Sequence, residues 1–167
     1  MVGGESVSST SPSRAAGRYG SSVAWDLLGL LGFALFVVGG TDFLLAWFPA
    51  RFGNPEWEFG TITAALNGMP VPLMGLSLLL LSALESESVV WARIFSVLLL
   101  VWGVALVGMA VIYGLTIPLA AKGFEVPNIG TGLKRAIGKS LVQLVVYPAA
   151  MVWMGIRGLR LARRVNS

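Results

Sequence analysis

NPEWEFGTITAALNGMPVP, residues 54–72, decides how this chain is built, because here an otherwise apolar sequence stops reading as a plain membrane span. Asn54 can accept hydrogen bonds from the free amides of a helix start, Pro55 suits the first helical position, and Glu56 and Glu58 complement the positive end of the helix dipole. A helix is therefore expected from about Pro55. It cannot continue undisturbed, since Pro70 and Pro72 lack backbone donors and disfavour helical geometry at Met69 and Val71, directly after the flexible pair Asn67 and Gly68. The break is expected between Asn67 and Pro72. Beyond it, residues 73–84 supply only about 18 Å of helix, short of a hydrocarbon core about 30 Å thick. The turns before the break must enter the membrane too.

Composition points the same way. Of 167 residues, 56% are hydrophobic and 12% charged, against about a quarter charged in a soluble domain. Several apolar runs approach or exceed spanning length, so the expected architecture is an all-α integral membrane protein with four transmembrane helices in an antiparallel bundle. The spans are expected at about 23–48, 57–84, 90–120 and 132–160, within a membrane domain of residues 23–164. Residues 1–22, rich in Ser, Gly and Ala, are expected to be a disordered tail, and 165–167 a second, short one. Arg14 and Arg18 precede an apolar run as in a signal peptide, but the run is long and lacks a small-residue cleavage site, which makes it an uncleaved first span.

The chain contains no cysteine and no histidine. That removes disulfides, thiolate chemistry, imidazole ligation of haem, the usual zinc sites and Cys or His catalysis. No cofactor, no metal site and no enzymatic activity are expected. The net charge of +4 sits at span ends, where anionic lipid and the insertion machinery favour Lys and Arg, and no nucleic-acid partner is expected. By the positive-inside rule, about seven basic residues fall inside and five outside when both termini are cytoplasmic, the orientation expected here.

Span one is bracketed by Trp25 and Trp47, roughly 33 Å apart along a helix, as interfacial anchors are. Asp26 lies at one interface; Asp42 lies about 8 Å inside Trp47 and needs a partner. Ser86 or Ser88 is expected to cap span three, which carries no charge from Ile94 to Ala121 and whose Gly103, Gly108, Ala110 and Gly114 permit close helix contact. In span four, Pro148 predicts a kink, and Gln143 is the strongly polar side chain within the apolar part.

The intramembrane polar candidates are Asp42, Asn67, Lys139 and Gln143. If spans one and four are antiparallel neighbours, Asp42 meets Lys139 at one face and Asp26 meets Arg157 at the other, the separations along the helices being about 24 and 27 Å. Such pairs would staple the spans in register and neutralise Asp42. Trp47, Phe48, Phe52, Trp57 and Phe59 are expected to form an aromatic collar around Arg51, either as an interfacial anchor or as a contact for lipid or a partner. Arg157, Arg160 and Arg164 form one basic stripe as span four leaves the bilayer, and anionic lipid headgroups are its expected partner.

Spans and anchors without nucleophiles, ligands or a soluble domain lead to one functional expectation. The chain is an accessory, assembly or stabilising subunit of a larger membrane protein complex, with partner membrane proteins or a homo-oligomer as its contacts. The alternative is a small oligomeric transporter or channel using Asp42, Asn67 and Gln143.

Overall fold

The computed structural model describes residues 13–123 and 130–164, and these form five helices and no strand. They are α1 (Ser13–Leu45), α2 (Pro55–Gly68), α3 (Pro70–Glu85), α4 (Val89–Gly123) and α5 (Gly130–Arg164). Val23–Leu45, Val89–Pro118 and Lys134–Arg164 are each long and apolar enough to cross a bilayer. The pair Glu56–Gly68 and Pro70–Glu85, bent by 40°, makes a fourth when taken as one broken span.

The break falls where the prolines place it. At the start of α2, the Asn54 side chain accepts from the amides of Glu56 at 3.0 Å and Trp57 at 3.1 Å. The Gly53 amide donates to Glu58 Oε1 at 2.9 Å, so the acidic first turn is tied to the loop before it. At the other end, the Met69 amide reaches Leu66 O only at 3.4 Å, and Pro70 and Pro72 donate nothing. The ladder resumes with Leu73 N to Met69 O at 3.2 Å. Met69 itself is fully buried, so the bend sits in the core.

α3 ends in a Schellman arrangement: Ser88 N bonds Ala83 O at 3.0 Å and Glu87 N bonds Leu84 O at 3.2 Å, with Glu87 at φ 54°. The Ser86 hydroxyl donates back to Ala83 O at 3.2 Å, closing α3 instead of capping α4.

Two seams of small residues bring backbones together. On α1, Gly29, Gly32 and Gly39 face Ser82, Gly75 and Pro72 of α3, in opposite chain directions. A Cβ on Gly75 would stand 2.5 Å from the Phe36 amide nitrogen and 2.7 Å from Gly32 O. The Ser82 hydroxyl donates to Trp25 O at 3.0 Å across the same seam. On α5, Gly155 and Gly158 receive Ser96 and Leu100 of α4, while Gly103 of α4 faces Met151 and Val152. Of the glycines expected to permit contact in span three, Gly103 does so; Gly108 and Gly114 have nothing within 4 Å of a Cβ position.

The bent pair of α2 and α3 joins the two seams, each of the two helices touching α1, α4 and α5. Among the described residues the backbones of α1 and α5 do not approach each other, and neither Asp26 nor Asp42 has an ion pair. The expected staple of Asp42 with Lys139 and of Asp26 with Arg157 is therefore not formed. Shape decides the neighbour: glycine faces allow backbone approach over many residues, which two charge pairs near the interfaces do not outweigh.

α1 also begins earlier than expected, so residues 13–22 of the expected tail are helical; a helix already nucleated by the apolar run extends cheaply through Arg and Ala. It ends at Leu45, short of Phe48, and α5 runs past 160 to Arg164. Residues 1–12, 124–129 and 165–167 lie outside the described residues, as does the loop with Glu125 and Pro127.

Gly75→Leu is expected to separate α1 from α3 and lower stability by about 1–3 kcal/mol through overpacking, while Gly108→Ala is neutral or stabilising by about 0.5–1 kcal/mol. Thermal unfolding of both variants in mild detergent checks the contrast.

Candidate functional site

The expected polar residues do not converge. Asp42 is exposed on α1, Asn67 is exposed in the last turn of α2, and Lys139 is exposed on α5. The Thr41 hydroxyl beside Asp42 is engaged with Val37 O of its own helix at 2.8 Å. Gln143 is half-buried, its Nε2 donating to Tyr147 OH at 3.1 Å, and α5 carries it away from α1. Asp42 thus has no charged partner among the described residues although it lies within an apolar span.

The aromatic collar divides. Trp47, Phe52 and Trp57 pack mutually, with ring centroids 5.5–6.3 Å apart, and fasten the loop after α1 to the first turn of α2. Phe43 extends the cluster to Trp102 of α4 at 4.9 Å, edge to face. Phe59 belongs elsewhere, since it is buried and stacked on Tyr113 at 5.4 Å. Its position on α2 is one turn past the loop, where the helix turns it from the collar toward α4. Arg51 and Phe48 are exposed beside the cluster.

Two features were not legible in the sequence. The first is interior: Tyr113 OH, Ser140 Oγ, Gln143 Oε1 and Thr63 Oγ1 are buried without a hydrogen-bond partner. The register that sets Gly103 against Met151 and Ser96 against Gly158 brings Tyr113 level with residues around 141, so Ser140 and Gln143 share its depth. Of the four, Gln143 alone stood out in the sequence, because hydroxyl residues are ordinary in membrane helices and only the helix register buries these. Such atoms can hold a water or a neutral polar group.

The second is a groove of about 330 Å³ between α3 and α5, walled by Ser77, Leu81 and Leu84 on one side and Trp153, Arg157 and Leu161 on the other. The Arg157 guanidinium lies over the Trp153 ring at 5.6 Å from its centroid. Ser77 has its donor committed, since its hydroxyl donates to Leu73 O at 2.7 Å. The basic stripe of Arg157, Arg160 and Arg164 continues from this groove along the last turns of α5, with Arg157 and Arg160 exposed. The spacing of Trp153, Arg157 and Leu161, four residues apart, is a one-face signal in the sequence; that α3 supplies the opposite wall is not.

The chain matches no protein-family model, no curated protein and no solved structure.

Tyr113→Phe removes a buried hydroxyl that has no partner, and is expected to stabilise the protein by about 1 kcal/mol, seen as a raised Tm in detergent.

Proposed function

We propose that this chain is a multi-pass membrane protein of four transmembrane helices in an antiparallel bundle, with both termini cytoplasmic. It serves as a non-catalytic accessory, assembly or stabilising subunit of a larger membrane protein complex. The observation that carries this reading is the outer face of α1. Only 11% of its apolar window is buried within the chain, against 28% for α4, and Asp42 stands exposed on it. A carboxylate at the centre of a span costs about 2.5–3.5 kcal/mol on the insertion scale, and Asp42, three residues from the end of Val23–Leu45, bears a smaller part of that cost. A neighbouring protein that covers α1 and offers Asp42 a cation or donor removes that cost. The exposed Phe48 and Arg51 lie next to the same end of α1 and extend the contact to the interface.

The tagged native protein extracted in mild detergent is expected to bring down a larger complex in fixed stoichiometry by native gel and mass spectrometry. Asp42→Leu is expected to reduce that recovery about tenfold or more, as loss of one member of a covered charge pair does. Recovery of the chain alone, or only as a small homo-oligomer, refutes the subunit reading.

A second reading, a small oligomeric transporter or channel, draws on the unpartnered interior atoms of Tyr113, Ser140 and Gln143. Its path runs between α2, α4 and α5, because Asp42 and Asn67 are exposed on other faces. It predicts solute or ion flux in reconstituted vesicles that falls in Gln143→Leu. Vesicles without flux above protein-free controls exclude it.

A further inference from the structure

The α3–α5 groove combines features that ordinary helix packing does not require. Its walls are almost wholly apolar, its volume of about 330 Å³ lies within the roughly 300–1,000 Å³ of small-molecule sites, and its cation is Arg157. α3 and α5 run in the same direction here, with Ser77 beside Met154 and Leu80 beside Gly158, so the slot follows the helix axes. From Ser77 to Leu84 it extends about 10 Å. Arg157 has the Trp153 ring on one face and no carboxylate partner among the described residues. Its planar fork of donors is thus uncommitted, and a phosphate diester fits such a fork in bidentate fashion.

We propose that this groove is a binding site for one anionic phospholipid, with the phosphate on the Arg157 guanidinium and an acyl chain lying between Leu81 of α3 and Trp153 of α5. A zwitterionic lipid fills the slot equally well with its chain but brings a cation to the edge where Arg157 and Arg160 already stand. An annular lipid, in contrast, meets one helix surface and no cation. The proposal rests on the membrane reading of the chain and is independent of its role as a subunit.

The test uses the full chain purified in mild detergent, stripped of endogenous lipid and exposed to vesicles of equimolar phosphatidylglycerol and phosphatidylcholine, with bound lipid counted by native mass spectrometry. Wild type is expected to retain one phosphatidylglycerol per chain in preference to phosphatidylcholine. Arg157→Gln is expected to lower that preference about tenfold, Arg157→Lys to give an intermediate value, and Arg163→Gln to leave it unchanged. Leu81→Trp fills the groove and is expected to abolish retention with Arg157 intact, its circular dichroism matching wild type. Equal retention of both lipids, unchanged preference in Arg157→Gln, or retention in a folded Leu81→Trp overturns the proposal. So does recovery of an acidic polypeptide in the groove in place of lipid. Carbonate extraction of the expressing membranes reads the membrane assignment separately: a chain released by carbonate refutes that assignment, whatever lipid it retains.

Discussion

Gly32 and Gly75 meet where α1 crosses α3, and neither position has room for a Cβ: one on Gly75 would press on the Phe36 amide, one on Gly32 on Gly75 O at 2.9 Å. In lipid, where apolar surface gains little from leaving the solvent, this closeness is the chief source of helix association, because it multiplies dispersion contacts. The same device recurs on the other side of the molecule, where Gly155 and Gly158 admit Ser96 and Leu100. These two contacts choose the neighbours. Once α1 is held to α3 and α5 to α4, the bent pair of α2 and α3 becomes the centre that joins both seams, and its buried bend at Met69 lets one chain segment serve both.

The charged and polar groups take the positions that this packing leaves them. α1 spends its glycine face on α3, so Asp42 is turned outward and meets no cation among the described residues. α5 spends its glycine face on α4, so Lys139 and the basic stripe are exposed and Arg157 comes to the edge of the slot beside α3. Tyr113 and Ser140 are buried by the same register and lose their access to water. The proposed functions all follow from these leftovers: an uncovered acidic face, an apolar slot with a guanidinium, and interior hydroxyls without partners.

Much of the local structure was legible in the residues themselves. Asn54, Pro55 and Glu58 specify a helix start whose hydrogen bonds form as their chemistry requires, and Pro70 with Pro72 places the break within one residue of Met69. The aromatic residues near Arg51 were legible as a group, though Phe59 leaves it because a helix rotates successive residues by about 100°. The candidate site was less so. Arg157 was visible as part of a stripe, while its groove was not, because the opposite wall comes from a helix some seventy residues earlier.

Hydropathy and turn chemistry act within about twenty residues of chain, and so the sequence by itself determined the all-helical class, the apolar helices, the break between α2 and α3 and the basic end. Which helix lies beside which depends on matching surfaces of segments far apart in the chain, and charge spacing alone pointed to the wrong pair. Only the tertiary structure decided that α1 packs on α3, that Asp42 faces outward, and that α3 and α5 enclose a slot, since backbone contact at Gly32, Gly75, Gly155 and Gly158 depends on three-dimensional shape rather than on residue type.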